Sequence, residues 1–128
     1  MKRSIVNSLV ISLTLLALAF SALGVNPAQA AAIWTLTDLG SLGGDYGYAE
    51  FINDAGQVAG TAATAAGDDR AFIWDSVNGM TDLGTLGGDY SYAYDINAAG
   101  QVVGEARTAA GETHAFVWDS VNGMTDLG

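Results

Sequence analysis

Residues 37–80 read TDLGSLGGDYGYAEFINDAGQVAGTAATAAGDDRAFIWDSVNGM, and residues 81–124 read TDLGTLGGDYSYAYDINAAGQVVGEARTAAGETHAFVWDSVNGM. The two stretches align without an insertion, and 32 of their 44 paired positions carry the same residue. A third copy starts at Thr125 and reaches Gly128. Such agreement indicates tandem duplication of one structural unit. A period of about 40 to 45 residues is typical of the blades of a β-propeller.

Each repeat contains four short runs that are typical of β-strands. They are rich in aromatic or β-branched residues and are separated by turn residues. In the second repeat they are Tyr92–Ile96, Gln101–Ala106, Ala115–Trp118 and Met124–Leu127. The pattern therefore predicts an all-β fold with four-stranded antiparallel blades, arranged as in a propeller.

The segments between these strands carry turn chemistry. They are Asn97–Gly100, Ala109–Gly111 and Asp119–Gly123 within the repeat, and Leu86–Asp89 is expected to connect one repeat to the next. The closing glycine of each turn allows positive φ without strain. The pair Asn122-Gly123, like Asn78-Gly79, is the pair most expected in a tight hairpin.

The third strand of each repeat is apolar without alternation, as Phe72-Ile73-Trp74 and Phe116-Val117-Trp118 show. We therefore expect both faces of this strand to be buried, as they are where blades pack on both sides.

The segment Ile33–Leu39 matches the fourth strand of a repeat, with Leu36 at the position of Met80 and Met124. The chain thus reads as a fourth strand followed by two complete repeats, which is fewer than the four blades of the smallest propellers. We expect either an incomplete array within a longer product or a homo-oligomer that builds a ring from several chains.

The first segment, residues 1–30, is typical of a secretory signal peptide. Lys2 and Arg3 precede an apolar stretch at residues 5–23, and the small-residue site Ala28-Gln29-Ala30 follows it. The apolar stretch also predicts helix.

We expect cleavage after Ala30, which places residues 31–128 outside the cytoplasm as a secreted, periplasmic or cell-surface region. The alternative is an uncleaved anchor, because the apolar stretch approaches the roughly 20 residues that span a bilayer. Pro27 favours cleavage, since a peptidase needs extended backbone at its site. No other membrane contact is expected.

Residues 31–128 contain two cations, Arg70 and Arg107, against 14 carboxylates, so their net charge is 2 − 14 = −12. So few cations cannot neutralise phosphates, which argues against nucleic acid and anionic lipid as partners. The sequence has no cysteine, which excludes disulfides and thiol chemistry. The length suffices for one small domain.

Residues 36–128 resemble the HAF-repeat family, which consists of extracellular bacterial proteins named for His-Ala-Phe. That motif stands here as His114-Ala115-Phe116, within the family-like segments MTDLGTLGGDYSYAYDINAAGQVVG and HAFVWDSVNGMTDLG. The first repeat departs from it with Arg70. The resemblance implies export and a propeller-like β fold for the HAF-type region 31–128, and it implies no common activity.

Residues that would carry catalysis are few. His114 is the one histidine, and Arg70 replaces it in the first repeat, which favours a polar residue at a strand end over a catalytic one. No nucleophile elbow, phosphate-binding loop or His-Glu-x-x-His zinc motif occurs. We therefore expect no enzymatic activity and no catalytic residue.

The recurring carboxylates Asp45, Asp89, Asp75 and Asp119 are weak candidates for calcium ligands, since oxygen-rich loops beside glycines hold this ion. The competing interpretation is that each aspartate starts a turn by accepting hydrogen bonds from backbone amides. That interpretation is favoured, because no loop has the dense alternating ligands of a calcium site.

Five tyrosines cluster after the Gly-Gly-Asp segments and form a candidate ligand surface: Tyr46, Tyr48, Tyr90, Tyr92 and Tyr94. Packing within the blade is the favoured alternative. If the chain binds a ligand, we also expect contacts where the repeats differ, namely Glu50/Tyr94, Phe51/Asp95, Thr61/Glu105, Ala63/Arg107 and Asp69/Thr113.

The sequence therefore predicts an exported, non-catalytic binding or structural module whose partner is a protein or a glycan. The alternative is part of a larger calcium-dependent extracellular hydrolase with its catalytic residues elsewhere.

Overall fold

Each repeat folds into its own four-stranded antiparallel sheet in the computed structural model, which describes residues 35–128. Neighbours in each sheet follow chain order. Sheet 1 contains β1 Gly43–Ile52, β2 Val58–Thr64, β3 Asp69–Asp75 and β4 Gly79–Asp82. Sheet 2 contains β5 Gly87–Ile96, β6 Val102–Thr108, β7 Thr113–Asp119 and β8 Gly123–Asp126. The predicted all-β class and the four strands per repeat are confirmed.

The signal peptide and its cleavage site lie outside the described residues. Within residues 35–128 no helix is long and apolar enough to cross a membrane.

Two predicted boundaries are wrong. The connection between repeats is Leu83–Leu86, because β5 already begins at Gly87 and pairs there with Thr108. Residues 35–41 form no strand, although Ile33–Leu39 matches the fourth strand of a repeat. A fourth strand pairs with the third strand of its own repeat, as β4 does with β3. No described residue supplies such a partner for this segment.

The hairpin turns combine glycine with an aspartate or asparagine that binds backbone amides. Gly56 and Gly100 adopt positive φ, of 77° and 78°, as the sequence predicts. Asn78-Gly79 does not form a two-residue turn, because only the glycine has positive φ and the strand pairing stops at Asp75 and Gly79. The loop between them therefore has three residues.

Gly60 and Gly104 allow the closest backbone approach in each sheet. A Cβ atom at Gly60 would lie 1.9 Å from the carbonyl oxygen of Tyr48 and 3.0 Å from the Phe72 ring. The glycine therefore lets the phenylalanine ring lie flat against the middle of the sheet. Gly104 has the same relation to Tyr92 and Phe116.

The two sheets stack with opposite faces in contact. We call the face of each sheet that carries Phe72 or Phe116 the front face, and the other the back face. Strand register places Ala59 and Ile73 together on the back face of sheet 1. They share one buried core with Val102 and Phe116, on the front face of sheet 2. The back of one repeat therefore packs on the front of the next.

A smaller core lies on the front face of sheet 1. Val58, Ala62 and Phe72 are buried there, with Leu39 and Leu42 packed against them. Leu83 and Leu86 occupy the same repeat positions beside sheet 2; Leu83 belongs to the larger core, and Leu86 is partly buried and packs against it.

The expectation that both faces of the third strand are buried holds in one repeat. Phe72 and Ile73, on opposite faces of β3, are 1% and 6% exposed. In β7, Phe116 is buried but Val117 is only half-buried. The prediction is wrong for the back face of β7, because no described part of the chain covers it.

Candidate functional site

A tyrosine-aspartate cluster joins the two sheets. The hydroxyl of Tyr46 donates to one carboxylate oxygen of Asp69, and the hydroxyl of Tyr92 donates to the other at 2.9 Å. This hydrogen bond, with a smaller contribution from burial, raises the pKa of Tyr92 to about 12. The separate hydrogen bond of Tyr46 to Asp69 raises the pKa of Tyr46. Asp69 thus holds one tyrosine of each repeat.

The remaining tyrosines of the predicted ligand surface divide into two kinds. Tyr90 uses its hydroxyl within sheet 2, where it shares a hydrogen bond with Thr113. Tyr48 and Tyr94 are 61% and 52% exposed. The rings form neighbouring pairs, with 5.6 Å between the centroids of Tyr46 and Tyr48. Structural hydrogen bonds therefore occupy the hydroxyls of Tyr46, Tyr90 and Tyr92, and Asp69 brings the Tyr46–Tyr48 pair next to the Tyr90–Tyr92 pair.

Both described arginines converge on Asp89. Arg70 in β3 donates to the Asp89 carbonyl oxygen at 2.5 Å and pairs with the Asp68 carboxylate at 3.2 Å. Arg107 lies 3.6 Å from the Asp89 carboxylate and 5.9 Å from the centroid of the Tyr90 ring. The Asp89 backbone carbonyl thus accepts a hydrogen bond from Arg70 of sheet 1, while its carboxylate pairs with Arg107 of its own sheet.

Ser91 inserts its hydroxyl between a backbone amide of β3 and a backbone carbonyl of the connection that follows β4. The side chain is fully buried. It accepts a hydrogen bond from the Ala71 amide at 2.9 Å and donates to the Gly84 carbonyl at 2.6 Å. In the second repeat the corresponding amide of Ala115 donates directly to the carbonyl of Gly128 at 3.3 Å. Ser91 is therefore a polar link between the sheets.

The His114 side chain lies between two carboxylates, and each of its ring nitrogens faces one of them. Its Nδ1 atom lies 2.9 Å from Asp126, and its Nε2 atom lies 3.7 Å from Glu112. The hydrogen bond to Asp126 raises the pKa of His114, against an opposing effect of burial. Backbone bonding by Gly128, followed by His114, lowers the pKa of Asp126. A general base needs a neutral nitrogen that can reach its substrate, whereas carboxylates face both nitrogens here.

Two of the four calcium candidates act as turn residues. The carboxylate of Asp75 accepts bonds from the backbone amides of Val77 and Asn78 and from the Asn78 side chain. Asp119 repeats these contacts in sheet 2. Hydrogen bonding from the asparagine side chain is the largest cause that lowers the pKa of both carboxyls. These contacts confirm the turn interpretation for this pair.

Asp45 and Asp89 lie inside strands β1 and β5, so the turn interpretation is wrong for them. Asp89 pairs with Arg107, and Asp45 borders an open groove between β1 and the β2–β3 turn. Nowhere in residues 35–128 do three or more His, Asp or Glu side chains lie together in a way that would hold a metal ion.

A cleft of about 290 Å³ lies between the two sheets, at the end that carries their β3–β4 and β7–β8 turns. We call it the inter-sheet cleft. Sheet 1 lines it with Gln57, Ile73, Asp75, Asn78 and Thr81, and sheet 2 with Ala99, Gly100, Trp118 and Ser120. One wall is therefore rich in amide, hydroxyl and carboxylate groups, and the facing wall carries an indole.

The repeat pattern does not predict the cleft, because Trp74 and Trp118 are the same residue in nearly the same context, with Ile73 before one and Val117 before the other. Their difference arises from the neighbouring sheet: Trp118 faces sheet 1, and no described sheet precedes Trp74. Asp69 and Ser91 were detectable, since each differs from its counterpart in the other repeat. Of the two, only Asp69 is among the varying positions at which the sequence predicts ligand contacts.

Most of the expected binding positions that vary between repeats lie on the back faces. Thr61 and Ala63 are 6% and 2% exposed, because sheet 2 packs on that face of sheet 1. Glu105 and Arg107 occupy the corresponding open face of sheet 2. Their variation therefore follows the change from a covered to an open face.

Comparison with known proteins adds no relative: no family model, no curated protein and no solved structure matches this chain.

Proposed function

We propose that this chain is a non-catalytic module of an exported bacterial protein, of the HAF-repeat type, which binds a neutral glycan in the inter-sheet cleft. Its sheets would be the blades of a propeller-like assembly. The proposal rests on the position of Trp118 on sheet 2, opposite the polar wall that Gln57, Asn78 and Thr81 form on sheet 1.

The chemistry of the two walls suits a sugar ring. An indole offers a large apolar surface on which the C–H face of a sugar packs. Amide and hydroxyl side chains can both donate to and accept from sugar hydroxyls. A volume of about 290 Å³ lies near the lower limit of small-molecule sites, roughly 300 Å³. A single sugar unit of a longer chain matches that size.

The negative charge of the protein limits the kind of glycan that the inter-sheet cleft can bind. Asp75 borders the cleft, and residues 31–128 have 14 carboxylates against two arginines. The negative potential of such a surface repels anionic ligands. We therefore expect neutral or amino sugars to bind and sulfated or uronic acid glycans not to bind.

The repeat itself supplies a matched control. Trp74 and Trp118 have the same flanking residues apart from Ile73 and Val117, and they have the same pairing, with Met80 and Met124 respectively. Only Trp118 lines the cleft. A loss of binding that is specific to Trp118 therefore reports on the cleft and not on the stability of a blade.

The experiment is a glycan array probed with the exported product, followed by titration of the strongest ligand under tryptophan fluorescence. We expect Trp118→Phe to abolish the binding signal and Trp74→Phe to retain it. An array without signal for any neutral or amino sugar would refute the glycan. Equal loss in both variants would refute the cleft as the site.

A further inference from the structure

An open groove lies at the end of sheet 1 that is opposite to the inter-sheet cleft. It runs between the start of β1 and the β2–β3 turn, has a volume of about 450 Å³, and is bordered by Asp45 on one side and by Thr64 and Gly67 on the other. No residue lines both this groove and the inter-sheet cleft. We call it the turn groove.

The backbone of the turn groove is built in the same way in both repeats. The Gly67 amide donates to the Thr64 carbonyl at 2.9 Å, and the Gly111 amide donates to the Thr108 carbonyl at 3.0 Å. The two glycines have φ values of 89° and 87°. The second repeat therefore provides a groove of the same shape for comparison.

An arginine of the chain itself fills the groove of sheet 2. The Nε atom of Arg107 donates to the Gly111 carbonyl at 3.3 Å, and its Nη1 atom lies 3.6 Å from the Asp89 carboxylate. The guanidinium carbon lies 5.9 Å from the centre of the Tyr90 ring. A carbonyl, a carboxylate and an aromatic ring thus hold this guanidinium group, and all three suit its planar, charged fork.

The groove of sheet 1 retains the three partners and lacks the arginine. The first repeat carries, at the positions of the carboxylate, the carbonyl, the ring and the arginine, Asp45, Gly67, Tyr46 and Ala63. A Cβ atom added at Gly67 would meet nothing within 4 Å, whereas one added at Gly111 would lie 3.6 Å from the Arg107 guanidinium. Among residues 35–128, none forms an ion pair with Asp45. The difference between the two grooves therefore arises inside each repeat, from alanine in place of arginine.

We propose that the turn groove binds the guanidinium group of an arginine side chain that a protein partner presents. The bound arginine takes the place that Arg107 holds in sheet 2, between a carboxylate, a turn carbonyl and a tyrosine ring. The excess of 14 carboxylates over two arginines in residues 31–128 attracts such a cation. The proposal does not depend on glycan binding in the inter-sheet cleft.

The chemistry of the groove favours a peptide-borne arginine over other cations. A guanidinium group presents several donors in one plane and stacks on aromatic rings, whereas an ammonium group is a compact, strongly hydrated point charge. Free arginine also carries an α-carboxylate, and the described residues that line the groove include no cation to pair with it. Within a polypeptide that carboxylate is absent.

The test is an NMR titration of the ¹⁵N-labelled exported product with the acetylated and amidated peptide Gly-Arg-Gly. We expect saturable shifts of the amide signals of Gly44, Asp45 and Gly67, with a dissociation constant roughly in the millimolar range, because exposed ion pairs are weak. The same peptide with lysine should bind more weakly, as should free arginine. A peptide with citrulline, which keeps the shape of arginine without its charge, should cause no saturable shift.

Matched variants of the two repeats connect the binding to the groove. Asp45→Asn should weaken binding of the arginine peptide about fivefold, as expected for the loss of an exposed ion pair. The control Asp89→Asn, in the groove that Arg107 already fills, should leave the affinity unchanged. Arg107→Ala empties that groove and copies the first repeat, so the chain should bind the peptide at two sites instead of one, with new shifts at Asp89 and Gly111.

Amide signals outside the grooves show whether each variant is folded. Four results would overturn the proposal: no saturable shift in the wild type, equal effects of Asp45→Asn and Asp89→Asn, no second site in Arg107→Ala, or binding of the citrulline peptide or free arginine as tight as that of the arginine peptide.

Discussion

Ile52 and Ile96 provide a direct measure of how strongly the two sheets pack. Both close the first strand of a repeat and pair with a valine, Val58 or Val102. They differ in surroundings, since Ile52 is 72% exposed and Ile96 is 8% exposed. Replacement of each by alanine therefore isolates the contribution of the neighbouring sheet.

The expected loss at Ile96 follows from the atoms removed. The substitution deletes three carbon atoms, and at about 0.8 kcal/mol per buried methylene the transfer contribution is about 2.4 kcal/mol. The cavity that remains brings the total into the range of about 2–5 kcal/mol for such substitutions. We take about 3 kcal/mol, which in a domain of this size lowers Tm by about 12–24 °C.

Ile52→Ala removes the same atoms from a largely exposed site. Surface substitutions generally stay within about 0.5 kcal/mol of wild type. The two variants are therefore expected to differ by more than about 2 kcal/mol in the free energy of unfolding.

Urea titrations followed by circular dichroism provide the measurement. Equal destabilisation of the two variants, within about 0.5 kcal/mol, would show that sheet 2 does not pack on sheet 1 through Ile96. The stacked arrangement of the two sheets would then be refuted.

Two titrations test the polar contacts. Asp69→Asn removes the carboxylate that raises the pKa of Tyr92 to about 12, so tyrosinate absorbance should develop at lower pH. The control Asp89→Asn should leave the absorbance titration unchanged. An unchanged titration for Asp69→Asn would refute the hydrogen bond between Tyr92 and Asp69. His114 has a pKa raised above 6.5 in the folded chain, so its contribution to stability is complete below pH 6.5 and is lost as pH rises through the raised value. Asp126, whose pKa is lowered from 3.8, stays ionised throughout this window. The variant His114→Arg keeps its positive charge, so the Tm of the wild type should fall relative to that of the variant as pH rises above 6.5. If Tm changes with pH in the same way in both proteins, the ion pair of His114 with Asp126 is contradicted.

The number of strands and their approximate limits could be predicted because local chemistry determines them. Asp75 and Asn78 build their turn from backbone contacts within four residues, and the same sequence builds it again at Asp119 and Asn122. The start of β5 at Gly87 was harder to place. Glycine and aspartate usually indicate a turn, but pairing with β6 draws Gly87 into the strand.

The candidate site was mostly beyond prediction, because it depends on which faces meet. The tyrosines were singled out by their spacing, but their hydroxyl partners lie across the sheet or on the next one, as Tyr92 and Asp69 show. The sequence does not distinguish Trp118 from its counterpart Trp74, since their neighbours are the same apart from Val117 in place of Ile73. The inter-sheet cleft exists only because sheet 1 lies opposite Trp118.

The two repeats therefore distinguish the structure that the local sequence determines from the burial that the neighbouring sheet determines. Ile52 and Ile96 have the same local structure, as do Leu83 and Leu127 in the chain beyond the fourth strand, yet their exposures differ more than eightfold. Where the environment differs, the sequence has changed with it: six of the twelve substitutions between repeats fall on the back face, which is covered in sheet 1 and open in sheet 2. The front face keeps Ile52 apolar although it is exposed. The rest of that face is buried at Val58, Ala62 and Phe72, so its apolar packing has been retained while the open back face of sheet 2 has become polar.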